Sequence, residues 1–217
     1  MSAGIKLASG ITLGAGITLG TAGTPSPAPV LKLGLDASTY TSGDWVDSVS
    51  GRQFTLMNGA SYSSDGGGSI VFDASSGQYA YCASSLNNLS TWTIEAWHYY
   101  DGNNQGVDPG AAGACIITES FPGATSNINY SLGNDRASLP GSTLNGIYSG
   151  FFDGGWRTTG EGITLTAGNW YQIIGTFDGV QNKLYINNTL VSTVNYTGTP
   201  VSSQDGIILM KRWDNAD

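Results

Sequence analysis

This 217-residue chain holds only one histidine, two cysteines and three glutamates. With His98 alone, a multi-histidine zinc site is excluded, and a Ser-His-Asp triad would hang on one residue with no G-x-S-x-G elbow beside it. On an alternating strand His98 follows Trp97, so it is expected on the opposite, wetter face. Cys82 and Cys115 are too few for the disulfide framework of a small secreted domain and read as buried strand thiols rather than a bridge. Charge is sparse too: 11% of residues are charged, and sixteen acidic against eight basic give a net charge of -8, which repels a nucleic-acid backbone. Such a surface suits sugars, proteins or divalent cations.

Long apolar runs are also missing. No stretch approaches the roughly 20 residues of a membrane helix, and glycines and threonines break every apolar pair near the start, which argues against a signal peptide. Synthesis in a cytoplasm is the expectation, with lysis or a dedicated route as the way out. The N-x-S/T triplets at Asn88, Asn129, Asn187 and Asn195 therefore carry no weight. The glycines of SSDGGGSI lack the lysine of a phosphate-binding loop.

What is present is glycine, 32 of it, with abundant Ser, Thr and Asn, a composition that favours β structure and frequent turns. The start repeats one phrase, Gly4-Ile5-Lys6-Leu7, Gly10-Ile11-Thr12-Leu13 and Gly16-Ile17-Thr18-Leu19. A repeat of six is even, so Ile5, Leu7, Ile11, Leu13, Ile17 and Leu19 can share one face of a strand. A helix fits neither the apolar spacing nor the recurring glycine. An apolar ribbon of this kind has unpaired edges that need a neighbour, supplied by other copies or by insertion into a partner's sheet; a disordered tail is the bland alternative. Residues 1–20 are thus expected to be a β arm for assembly or anchoring. TAGTPSPAPV, residues 21–30, has three prolines in ten positions and reads as a semi-rigid linker.

From residue 31 short alternating runs bounded by Gly, Asn, Asp and Ser are spaced as in a sandwich of antiparallel sheets. Strands are expected at 30–35, 53–57, 69–72, 78–82, 92–100, 114–119, 128–132, 146–151, 162–165, 169–178, 183–186, 190–196 and 206–210, with no convincing helix. Asn187-Asn188, between alternating runs, suits the positive φ of a two-residue type I′ turn, and Asp178-Gly179 marks a similar break.

The succession VFDASSGQYAYC, STWTIEAWHYY, AGNWYQIIGTFDG, NKLYINNTLV and GIILMKRWDNAD resembles the laminin-G-like, concanavalin-A-like jelly roll, especially the version borne by bacterial and phage proteins. The resemblance covers residues 31–217 and implies an all-β, antiparallel two-sheet jelly-roll sandwich, here preceded by the extended arm. It implies binding of carbohydrate or protein, with calcium in many members. Similar domains continue past the WDNAD-like stretch into a closing strand, whereas this sequence stops at Asp217. Either it is a piece, or the strand comes from elsewhere, residues 4–19 being the obvious internal or neighbouring donor.

Some relatives of this type are glycoside hydrolases, which need two carboxyl groups at defined separation. Their E-x-D-x-x-E pattern has no counterpart among Glu95, Glu119 and Glu161, since Trp97 stands two places after Glu95. Calcium would draw on Asp36, Asp44 and Asp47 of one loop and Asp214 and Asp217 at the end, with Asp36, Asp47 and Asp214 the chosen set; solvated Asx turns are the plain alternative. Sugar recognition needs an exposed ring beside amides and carboxylates. Trp92, Trp97 and Trp170 fall in strands and are expected in the core. Trp156 is expected in a loop with Asp153, Arg157 and Glu161, led into by Tyr148, Phe151 and Phe152, so Trp156, Asp153, Arg157 and Tyr148 form the expected ligand patch; a ring packed under the loop is the alternative.

The expected protein is a non-catalytic display component, such as a phage virion decoration, fibre or appendage. It would form a homo-oligomer, a trimer among the options, contact other structural proteins and present a lectin-like domain to cell-surface glycans. The alternatives are a bacterial surface or filament subunit polymerising by strand donation and, behind it, a glycoside hydrolase.

Overall fold

A computed structural model describes residues 3–6, 31–86, 89–102, 115–119, 128–134, 147–160, 163–201 and 206–211. Fifteen strands run along it: β1 (Ala3–Lys6), β2 (Trp45–Val46), β3 (Gln53–Met57), β4 (Ser61–Ser63), β5 (Ser69–Phe72), β6 (Tyr79–Cys82), β7 (Trp92–Tyr100), β8 (Cys115–Glu119), β9 (Ser131–Asn134), β10 (Ile147–Phe152), β11 (Trp156–Thr159), β12 (Asn169–Phe177), β13 (Gln181–Ile186), β14 (Thr189–Asn195) and β15 (Ile207–Leu209). Among the described residues the only helical pieces are three short 3-10 turns. A seven-stranded sheet has the order β14-β13-β12-β7-β1-β5-β4, and an eight-stranded sheet the order β11-β10-β9-β8-β15-β6-β3-β2.

The sheets meet over an apolar core that includes Trp45, Phe54, Ile70, Phe72, Trp92, Ala96, Leu132, Ile147, Phe151, Ile173, Phe177, Leu184 and Ile207. Phe151 and Phe177 touch across it with ring centres 4.4 Å apart. Beside them the buried Asn182 donates to the Ser149 carbonyl at 2.9 Å, and the Ser149 hydroxyl donates to the Asn182 amide oxygen at 3.0 Å. That polar pair ties the sheets at one point, with each partner satisfied inside the core. Gly175 permits the approach, because a Cβ there would lie 2.5 Å from the Ser149 hydroxyl. Both cysteines are free and buried, as expected.

Strands β3, β5 and β7 have the expected bounds, and most others differ by a residue or two. Residues 31–36 form no strand: the Gly34 N–H donates to the Asp47 carboxylate and its carbonyl accepts from Ser48 N–H, so a turn takes the groups a ladder would use. Of residues 163–165 only Thr164 makes a bridge. The short β2, β4 and β11 were not anticipated. Asn187 and Asn188 both have positive φ, 49° and 63°, as a type I′ turn requires.

The expected arm, 1–20, contributes β1, whose Gly4 and Ile5 oppose Val71 and Ile70 of β5, while Ile5 and Lys6 oppose His98 and Trp97 of β7. Leu7, Ile11, Leu13, Ile17 and Leu19, and the linker 21–30, lie outside the described residues.

Candidate functional site

Alternation along β7 buries Trp92, Ala96, His98 and Tyr100 and leaves Glu95, Trp97 and Tyr99 half-exposed on the outer face of the seven-stranded sheet. This reverses the expectation for His98, which is 2% exposed. The reason is parity: Trp92 and Trp97 are five residues apart, and an odd separation in an uninterrupted strand cannot put both in the core. Trp92 is the core residue. Trp97 and, on β12, Trp170 are corrected from core to the outer face, where both are half-buried.

Register then assembles a row. Tyr99 opposes Trp170 and Trp97 opposes Gln172, so three aromatic rings and an amide share adjacent positions on one face. The Tyr99 and Trp170 rings lie 5.5 Å apart at 57°. The Gln172 side-chain amide donates to the Glu95 carboxylate at 2.7 Å. Behind it, Gln172 N–H donates to the Asn187 side chain at 3.0 Å and its carbonyl accepts from Asn187 N–H at 2.9 Å, which fixes the strand against the β13–β14 turn. At the rim, the exposed turn Asp65–Gly67 abuts the indole: a Cβ on Gly66, whose φ is +66°, would come 3.0 Å from Trp170 Cζ2. Chemically this is an apolar platform edged by a carboxylate and an amide, able to stack on a ring and hydrogen-bond its hydroxyls.

The expected ligand patch does not assemble as one surface. Trp156 opens β11 rather than lying in a loop, and packs edge-on against Phe152, its register partner, with ring centres 6.0 Å apart. Arg157 points the other way by alternation; it donates to Asp153 at 2.7 Å and its guanidinium sits 5.9 Å from the Tyr196 ring centre. Tyr148 is 7% exposed and its hydroxyl lies 3.0 Å from Ser131 Oγ and 3.3 Å from Cys115 Sγ. Thus Trp156 and Tyr148 share one face of the β10–β11 pair, where Tyr148 is buried, and the Asp153–Arg157 pair lies towards the other. Glu161 lies outside the described residues.

Of the calcium set, Asp36 and Asp47 are already engaged by hydrogen bonds. Asp36 caps a 3-10 turn, accepting from Ser38 N–H and hydroxyl. Asp47 is 1% exposed and accepts from the N–H groups of Gly34, Val49 and Ser50 and the Ser50 hydroxyl, with Arg52 at 3.7 Å. Burial pushes its carboxyl up, but those hydrogen bonds outweigh it and hold the group below its ordinary value. No lone pair is left for an ion. Asp214 and Asp217 lie outside the described residues, and among the described ones no three His, Cys, Asp or Glu side chains gather.

Among the described residues the two glutamates do not pair for hydrolysis. Glu95 stands on the outside of one sheet, whereas Glu119, on the other, is buried, accepts from Leu86 N–H at 3.1 Å and faces Tyr130. Burial first, then the Glu119 charge, pushes the Tyr130 phenol well above its ordinary value, so it stays protonated.

Two antiparallel sheets packed face to face, with an aromatic platform on one outer surface, define a lectin-like jelly-roll sandwich. Within that class the chain belongs to the concanavalin A-like lectin/glucanases superfamily, whose laminin-G-type family model matches residues 73–216. Among solved structures it is similar to domain 4 of AbnA, a GH43 extracellular arabinanase from Geobacillus stearothermophilus, in complex with arabinotriose: TM-score 0.56 at 12% identity, covering 78% of this chain and 79% of that one. It is also similar to the carbohydrate-binding module CBM66 from Bacillus subtilis, with TM-score 0.42 and 18% identity over 73% of this chain and 88% of that chain. No curated protein sequence matches it.

Proposed function

We propose that this protein is a non-catalytic carbohydrate-recognition component, its jelly roll held on a larger structural assembly such as a virion appendage by the amino-terminal repeat. The observation that carries the recognition reading is the Trp97, Tyr99 and Trp170 row edged by the Gln172–Glu95 pair. Aromatic faces take the apolar side of a sugar ring while an amide and a carboxylate meet its hydroxyls, and water loses little by leaving such a surface. Fold alone does not carry this, because the same sandwich hosts many functions. The AbnA domain crystallised with arabinotriose supplies the first probe rather than the answer. The separation of Glu95 from Glu119 supports binding without hydrolysis.

The test is calorimetric titration with arabinan oligosaccharides alongside a broad glycan array. Binding of some glycan by the wild type, weakened at least about tenfold by Trp170→Ala and unaffected by Trp156→Ala, is expected; tenfold corresponds to about 1.4 kcal/mol. Equal loss in both variants, or release of reducing sugar by the wild type, overturns the reading.

A further inference from the structure

Strand β1 occupies an unusual place for a segment so far from the body of its chain. It is a central strand, hydrogen-bonded to β5 on one side and β7 on the other, and β5 and β7 are not paired to each other. The gap it fills is therefore a two-sided acceptor lined by backbone N–H and C=O groups, which need a strand from somewhere. The acceptor is longer than the donor. β12 pairs all nine residues of β7 from Trp92 to Tyr100, whereas β1 opposes only His98 and Trp97 among the described residues.

The tether is long. Residues 7–30 make 24 residues between β1 and the first residue of the sandwich region. Extended at 3.3 Å per residue they span about 80 Å, and the 11 residues 20–30 behind the last repeat phrase span about 36 Å. The body, 187 residues long from 31 to 217, has an expected radius of gyration of about 16 Å. A strand on such a tether reaches the gap of an adjacent copy as readily as its own, makes the same hydrogen bonds there, and trades only tether entropy for concentration. The donors also outnumber the acceptor. Gly10-Ile11-Thr12-Leu13 and Gly16-Ile17-Thr18-Leu19 repeat the phrase of β1 at shifts of six and twelve residues. Aligned on its glycine, either phrase takes the β1 register with isoleucine in the Ile5 position, opposite the buried Ile70 and His98.

The geometry points to the β5–β7 gap as a strand-acceptor site for the amino-terminal repeat of a second copy of this chain, with the three phrases as interchangeable donors. One acceptor and three donors per chain make the contact head-to-tail, so copies join in series rather than only in a closed pair.

Paired cysteines on full-length chains test this. Chains carrying Gly4→Cys, Gly10→Cys or Gly16→Cys are each refolded with an equal amount of chain carrying Val71→Cys, the register partner of Gly4, and treated with a short bis-maleimide; wild type measures background from the buried native thiols. Cross-chain dimers in all three mixtures, at least several-fold above wild type, are expected. Dimers absent from all three, with the Gly4→Cys, Val71→Cys double variant closing only within one chain, overturn the proposal, and dimers from Gly4→Cys alone overturn the interchange of phrases. Sedimentation of the unmodified protein gives a second readout independent of any substitution: a mass above the monomer that falls on dilution is expected, and a monomer at every concentration overturns the proposal. Neither result bears on glycan binding at the Trp97–Trp170 face.

Discussion

His98 is buried with neither ring nitrogen hydrogen-bonded among the described residues. Burial lowers its pKa from 6.5 to about 4, with the Asp101 charge pulling weakly the other way. Above pH 6.5 the ring is neutral whether the chain is folded or not. Between about pH 6.5 and 4 only the unfolded chain takes up the proton, so stability falls as pH falls through that window, by on the order of 3 kcal/mol at its lower end. Urea midpoints at pH 7 and near pH 4.5 should therefore differ strongly in the wild type and much less in His98→Phe; equal slopes in the two proteins contradict this. Asp47, Asp73 and Asp178 act elsewhere: hydrogen bonds lower their carboxyls below 3.8, so their contribution is present above that value and lost only in stronger acid. Asp47→Asn removes a buried charged acceptor and should cost about 2 kcal/mol. Thermal unfolding should show the same loss with calcium and with chelator; a larger loss in calcium than in chelator would return Asp47 to cation binding.

At the scale of elements, the β13–β14 turn both closes a hairpin and steadies the platform, since Asn187 holds both backbone groups of Gln172. Its φ of 49° is poorly tolerated by a β-branched side chain. Asn187→Val should cost roughly 1 to 2 kcal/mol from that conformation, and lower the melting temperature by a few degrees in a domain of this size. An unchanged melting temperature would mean the turn relaxes freely. This turn could be read from the sequence because asparagine pairs between alternating runs have few other uses. The strand β7 is also legible, but its faces are not from residue type alone: Trp92 and Trp97 both suit a core, and only their odd spacing sends Trp97 to the outer face. Counting parity from Trp92 through Ala96 to Tyr100 would have exposed Trp97 and Tyr99. The strand at Trp156 was hidden by the glycines before it, which suggest a loop, whereas the pairing that makes it an edge strand is long-range and leaves no local trace.

For the whole molecule, composition carried the fold class: abundant glycine, sparse charge and alternating runs leave little but a β-sandwich. The place of β1 could not be read from sequence, because which gap a repeated apolar phrase enters depends on the sheet that receives it. The aromatic row is not legible in the sequence for the same reason, since Trp97 and Tyr99 lie some seventy residues before Trp170 and Gln172 and meet them only through the β7–β12 register. The central claim is that this register builds a sugar-binding surface. Its most direct test follows the indole N–H resonances of the six tryptophans during titration with a bound oligosaccharide. Shifts at Trp97 and Trp170, with Trp45, Trp92 and Trp156 unmoved, are expected; shifts confined to Trp156 would contradict the claim.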